Sequence, residues 1–292
     1  MSHLIHFLRR ILRIPRWIFW RLRIWVFPVP LMIRLRWNNR HHHTPLTSSD
    51  GPVVSMTTYG PRISTVYLAL ESIARGSTLP SRLILWIDDR ILFDRLPSSI
   101  CRLQRRGLEV RLSDNYGPHT KYYPYVLSET IFKDALVISD DDQLYPRWWL
   151  ARLIEAYRKF PHDINCHWAA TVVLSGGISE YQSWKRNGGV ESTFRQVAFG
   201  TSGVIYPPKF LAILKQTGNA FRAYCPKADD LWLHVQALRS GYKIRQISAK
   251  RLYNLQIPGS QSLALATEND NGGNDRQIAA TYSTEDIQIM NQ

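Results

Sequence analysis

Three consecutive carboxylates, Asp140, Asp141 and Asp142, follow the run Ala135-Leu136-Val137-Ile138-Ser139 and precede Gln143-Leu144-Tyr145-Pro146. The apolar run reads as a short strand buried on both faces of a parallel sheet. Three adjacent negative charges repel one another, and burying them demands a counter-charge. Ligands of open α/β sheets bind just beyond the carboxyl ends of strands, so a cation belongs here. Asp140 and Asp142 can reach one hard divalent ion, Mn2+ or Mg2+, that also holds a diphosphate. A solvated acidic turn ahead of Pro146 is the competing reading of the same residues.

Other polar groups fall at predicted strand ends or helix starts. Asp88 and Asp89 close a second apolar run. An Asp there can accept hydrogen bonds from a base or a ribose, or simply make a turn. Thr57, Tyr59 and Arg62 lie in and after the first run. Arg62 and Lys121 are candidates for phosphate contacts, the guanidinium bidentate and the ammonium a point charge, although each alone also fits plain surface solvation. Asp229 and Asp230 open a predicted helix, where a carboxylate caps backbone N–H groups and suits the positive end of the dipole. A helix needs only one such cap, which frees the second acid for general base catalysis. A base that deprotonates a sugar hydroxyl while a metal-bound diphosphate leaves is a complete mechanism. His234, one turn further on, reads as a packed or hydrogen-bonded histidine.

The elements that must position these groups alternate. Residues 53–57, 83–87, 108–112 and 135–139 read as strands, and 65–75, 100–106 and 147–157 as helices, the first stopped by Gly76. Past Pro161 the rhythm loosens. Residues 169–174 read as a strand and 175–191 as a long mobile loop, a kind that tends to be functional and here to govern acceptor choice. A Gly-rich segment, 199–206, follows, then helices over 209–214 and 228–238, a strand over 242–247 and a polar tail from 259 to 275. Strands separated by helices imply a mostly parallel, right-handed open sheet with flanking helices. Its strand ends converge on one crevice.

The chain has 292 residues and a formal charge of +14, unevenly placed. Nine arginines and no acid precede Asp50, and the rest carries 28 basic against 23 acidic residues, a net +5. The basic excess therefore does not form a nucleic-acid-binding face. Residues 1–40 mix Arg with Leu, Ile, Trp and Phe. Their longest uncharged run, Ile24 to Ile33, has ten residues broken by Pro28 and Pro30, against about 20 needed to span a bilayer. Arginines inside the apolar stretch also argue against a secretory signal. The composition fits an interfacial segment on an anionic membrane surface, over residues 1–37, better than its rival, a transit peptide, because of the many tryptophans. Residues 41–52, including His41-His42-His43, read as a polar linker, and 53–292 as the folded domain. Three scattered cysteines imply neither a zinc site nor a disulfide framework, and fit a reducing compartment.

Taken together, these motifs resemble those of nucleotide-sugar-dependent glycosyltransferases of the A-type, Rossmann-like fold, the family 2-like enzymes of bacterial surface polysaccharide synthesis. Val53 to Arg62 is similar to that family's opening strand and nucleotide loop. Ser139-Asp140-Asp141-Asp142 resembles its Asp-x-Asp metal motif, with Asp140 and Asp142 in the acidic places. Gly200-Thr201-Ser202-Gly203-Val204-Ile205-Tyr206 resembles the Gly-rich segment that borders donor and acceptor. Ala228-Asp229-Asp230-Leu231-Trp232-Leu233 with Gly241-Tyr242-Lys243-Ile244 resembles the Glu-Asp motif and its Gly-Tyr-x-Ile closure, with Asp229 in place of the usual Glu.

The resemblance spans residues 53 to about 250. It implies Asp230 as the base beside Asp229, metal on Asp140 and Asp142, and a donor held by Thr57, Tyr59, Arg62, Asp88, Lys121, Asp141 and Gly203. It further implies a UDP-sugar, Mn2+ or Mg2+, an inverted product, a glycan or lipid-linked acceptor, and a peripheral place on the cytoplasmic face of the membrane. The stretch 115–122 is more elaborate than the family pattern, and no histidine follows His234 to serve as a late metal ligand. Asn274, Asp275 or a water is the available substitute. Two other classes compete. A nucleotidyltransferase would want a Gly-rich, basic loop after the first strand, for which 58–62 is poor. A membrane-associated scaffold on a degenerate transferase domain leaves the acids at 140, 142 and 230 without a task.

Overall fold

The structure, a computed structural model, describes residues 25–260 and 272–292. Seven strands form one sheet in the order β10-β6-β9-β4-β1-β2-β3. They are β1 (Val53–Thr58), β2 (Arg82–Ile87), β3 (Leu108–Leu112), β4 (Leu136–Asp140), β6 (Ile164–Cys166), β9 (Val204–Tyr206) and β10 (Ile244–Gln246). Short two-stranded ribbons pair β5 (Gln143–Leu144) with β11 (Leu255–Gln256), and β7 (Ala169–Thr171) with β8 (Gln196–Ala198). The mostly parallel, helix-flanked sheet expected from the sequence is the one observed. Its exception is β9, which lies antiparallel between β4 and β6.

Both faces of the sheet are covered, which is why its strands are near-continuous apolar runs. Alternate residues serve two cores: Leu136 and Ile138 belong to one, Val137 to the other, and Ile84 and Leu85 divide in the same way. One face carries the helices Tyr123–Ser128, Pro208–Thr217 and Asp229–Arg239. The other carries Val66–Ala74, Ser98–Gln104 and Trp149–Lys159. Among the described residues no helix is long and apolar enough to cross a membrane.

Three regions differ from expectation. The leader and linker do not stand apart where they are described; residues 1–24 lie outside the described part. The helix Pro28–His41 buries Leu35 completely in the second core, and Leu46 follows it there. Asn39 donates to Glu71 Oε1 (3.1 Å) and to the Ser99 carbonyl, while Arg106 closes on Glu71 at 2.5 Å and on the Thr44 carbonyl. A buried carboxylate needs such partners, and they tie the segment down. The loop 175–191 is likewise pinned, by the buried Trp184, by pairing of Lys185 with Thr171, and by Asp275 accepting from the Tyr181 N–H. Asp275 thus serves loop anchoring. The end of the expected polar tail begins a helix, Asn274–Thr281, and a second, Thr284–Met290, opens with a Ser283–Asp286 capping box.

Candidate active site

The parallel strands β1, β2, β4, β6 and β10 deliver Thr58, Ile87, Asp140, Cys166 and Gln246 to one edge. Antiparallel β9 starts at that edge, so the turn Gly200–Ser202 ahead of it also arrives there. The acidic trio at the end of β4 is divided by its surroundings. Register pairs Thr57 with Asp140, which sets Thr58 beside Asp141. The Thr58 hydroxyl donates to Asp141 Oδ2 at 2.7 Å and Arg62 Nη1 donates to Oδ1 at 2.8 Å. Arg62 also donates to the Ser260 carbonyl and lies 3.7 Å from Asp142. Asp141 and Arg62, both expected to contact the donor, are held to each other, and Arg62 is the counter-ion of Asp141 and Asp142.

Asp142 is buried and accepts from Gln143 Nε2 at 2.8 Å. Burial, then the charges of Asp140 and Asp141, push its carboxyl up to about 6. Asp140 is the more exposed of the three, and its Oδ1 receives Lys121 Nζ at 2.8 Å. Lys121 is buried at the end of the turn 117–121, its carbonyl accepting from Ser55 Oγ at 2.6 Å. Its ammonium also makes an ion pair with Asp229 at 3.2 Å, short of hydrogen-bond geometry. Burial alone would depress Lys121, but Asp140, Asp229 and Asp230 outweigh it and hold the ammonium well above its usual range. One lysine joins the end of β4 to the start of the helix Asp229–Arg239.

Neither acid caps that helix. The N-cap is Ala228, without a side-chain bond, and Asp229 and Asp230 occupy its first turn. Asp230 Oδ1 accepts from the Gly200 N–H at 2.9 Å. Burial, then the neighbouring Asp229, raise the Asp230 carboxyl well above the usual carboxylate range; Lys121 and the Gly200 N–H oppose that without cancelling it. Gly200 has no room for a side chain: a Cβ would stand 3.0 Å from Ile138 and 3.4 Å from both Asp230 Oδ1 and Lys121 Nζ. Gly203 is a packing position at φ +101°, where a Cβ would strike the Trp149 indole at 2.5 Å.

The remaining expected residues are more dispersed. Thr57 donates to the Trp86 carbonyl at 3.3 Å, and the Tyr59 ring lies under the Arg62 guanidinium. Asp88 follows β2 with its carboxyl raised, chiefly by burial, while Asp89 caps the helix Arg90–Asp94 through the N–H groups of Ile91 and Leu92. His234 is packed between the Tyr282 hydroxyl and the Phe194 carbonyl. Thr58, Gly200 and Gln143 were not among the expected residues. Period-2 alternation marks Thr58 as pointing opposite to Thr57, but no sequence signal ties Gly200 to Asp230.

Five carboxylates gather here, and Arg62 and Lys121 pair with them. Burial first, and the neighbouring carboxylates after it, raise Asp142 and Asp230. Among the described residues no three His, Cys, Asp or Glu side chains converge as a metal cluster. Mg2+ and Mn2+ sites completed by substrate phosphates and water need only one or two protein carboxylates. Asp140 and Asp142 fit that requirement in charge and donor type.

No family model and no curated protein sequence matches this chain. Solved structures do resemble it. A mannosyltransferase from Pyrobaculum calidifontis, PcManGT in complex with GDP-Man and Mn2+, has a TM-score of 0.50 at 13% identity, over 86% of this chain and 70% of its own. The architecture is the A-type glycosyltransferase fold. GalNAc-T7 with UDP, GalNAc and Mn2+ gives 0.46 at 12% identity, over 76% and 48%. The CMP:2-keto-3-deoxy-manno-octonic acid synthetase complexed with CTP gives 0.41 at 11%, over 76% and 100%. At such identities the likeness is one of fold, and function has to be argued from the site.

Proposed function

We propose that this chain is a metal-dependent glycosyltransferase, moving a sugar from a UDP-sugar to a polysaccharide or lipid-linked acceptor with inversion at the anomeric carbon. The observation that carries the reading is Lys121, ion-paired at once with Asp140 and Asp229. It brings a pair of candidate metal ligands and a candidate base to one crevice. Asp88 and Tyr59, at the ends of β2 and β1, flank the nucleoside side, and Asp140 and Asp142 hold Mn2+ or Mg2+. When bound, that ion supplies positive charge to the diphosphate of the donor. The Lys121 ammonium adds a fixed positive charge toward the leaving phosphate. Asp230 takes the proton of the acceptor hydroxyl; a carboxyl raised by burial is a stronger base than an exposed one. The Gly200 N–H fixes its Oδ1.

The test is calorimetric titration of UDP, GDP, CMP and ADP into the protein, each with Mn2+ and with EDTA. Manganese-dependent binding of UDP is expected; no nucleotide binding would shift the reading to a non-catalytic scaffold. A bacterial surface glycan is the proposed product class, made peripherally on the cytoplasmic face of the membrane. Support for the membrane comes from the helix Pro28–His41, whose exposed side presents Val29, Ile33 and Trp37 beside the exposed Arg34, Arg36 and Arg40. Cosedimentation with anionic but not neutral vesicles is the expected result, and equal binding to both would remove the electrostatic part.

A further inference from the structure

A cavity of about 580 Å³ lies between the helix Trp149–Lys159 and the segment 247–253. That volume is in the range of small-ligand sites. Arg152 and Lys159 line it from the helix, and Lys250 and Arg251 from the segment. The structure gives these four cations no carboxylate partner among the described residues, whereas Arg245 in the same wall is paired with Asp163 at 2.9 Å. Two acids, Glu155 and Glu191, also line the cavity, so its wall stays net positive. Two of the guanidiniums are oriented by stacking: Arg152 lies 4.1 Å over the Trp148 ring, and Arg251 is 4.3 Å from Trp168 and 4.2 Å from Tyr253. A stacked guanidinium keeps its donor edge available and loses less freedom when it binds an anion.

The cavity wall is bonded to the catalytic turn. The Leu252 N–H donates to the His167 carbonyl, and Ser202 Oγ donates to the Leu252 carbonyl, both at 3.1 Å. Ser202 belongs to the turn whose Gly200 N–H holds Asp230. Beside its cations the wall presents the exposed rings of Trp148 and Tyr253. Such a wall suits sugar rings that carry negative charge.

We propose that this cavity binds an anionic group, phosphate or carboxylate, of the acceptor glycan. The inference rests on the transferase reading for its word acceptor, and its test separates the two. Trigalacturonate, mannose 6-phosphate and neutral maltotriose are titrated into the full chain and into R152Q/K250Q/R251Q, with UDP and Mn2+ as the control ligand. At least one anionic probe is expected to bind the wild type, ten-fold or more weaker in the variant and weaker again in high salt, with maltotriose silent and the UDP isotherm unchanged. Preference between the carboxylate and the phosphate probe names the source of the charge. Anionic binding without any UDP binding would keep the cavity and sink the transferase reading. UDP binding with no anionic binding, with equal binding of maltotriose, or with full affinity in the variant would overturn the proposal.

Discussion

The two acidic groups of the crevice are built on different plans. At the end of β4 the middle acid is satisfied: Asp141 accepts from Thr58 and Arg62, and that ion pair sets the backbone from which Asp140 and Asp142 project. At the start of the helix Asp229–Arg239, the buried Asp229 pairs with the Lys121 ammonium at 3.2 Å and the half-buried Asp230 accepts the Gly200 N–H. Burial raises carboxyls in both groups; what differs is that Asp141 has two side-chain donors to oppose it, whereas Asp230 has only the Gly200 N–H and the nearby Lys121 charge. A burial-raised carboxyl beside a cation-seeking pair is the division of labour that acid–base chemistry on a phosphate leaving group requires.

Replacing Asp230 breaks the comparison most sharply. Asp230→Asn keeps shape and the Gly200 contact but removes the base, so transfer should fall by about 10²–10⁴-fold with manganese-dependent UDP affinity intact; a variant with full transfer would move the base elsewhere. Lys121→Met removes the joint between the groups and leaves buried carboxylates uncompensated. Its unfolding free energy in denaturant titrations should drop by about 3–5 kcal/mol, as when one partner of a buried pair is lost. A drop under 1 kcal/mol would mean that solvent already screens the joint.

Within the trio, Asp141→Asn and Asp142→Asn should differ. The first orphans Arg62 and Thr58 and should cost about 1–3 kcal/mol of stability. The second should leave stability level or raised, because it removes a disfavoured charge, while abolishing metal-dependent UDP binding. Identical behaviour of the two variants would erase the distinction drawn between satisfied and available acids. The smallest effect is one of pH. Asp142 has its folded-state carboxyl raised from 3.8 to about 6, so between those values the folded chain binds more protons than the unfolded one. In EDTA this group's contribution to stability therefore declines as pH rises from about 4 through 6. Mn2+, which takes the ionised form, should gain affinity over the same interval, and a flat manganese affinity from pH 4.5 to 7 would contradict it.

Much of the first half of the chain was legible because its elements are long and its rhythm strict. Strands β1 to β4 and the helices Val66–Ala74 and Ser98–Gln104 follow from apolar runs that stop at Asp88, Gly76 or Asp140, while the short helices Arg90–Asp94 and Tyr123–Ser128 do not. In the second half Ile244–Gln246 falls inside the strand expected over 242–247, but Ile164–Cys166 and Val204–Tyr206 are three residues each, too short to carry a periodic signal. Their pairing depends on neighbours far apart in sequence, which is why antiparallel β9 was not foreseen.

By itself the sequence determined that carboxylates would end β4 and open the helix Asp229–Arg239, because apolar periodicity dictates where strands and helices stop. Tertiary structure alone decided which acid does what. Lys121 reaches Asp140 and Asp229 across 19 and 108 positions of chain, Arg62 pairs with Asp141, and Gly200 lends its N–H to Asp230. Charge interactions act through space and depend on burial, and neither distance nor burial is written in residue spacing.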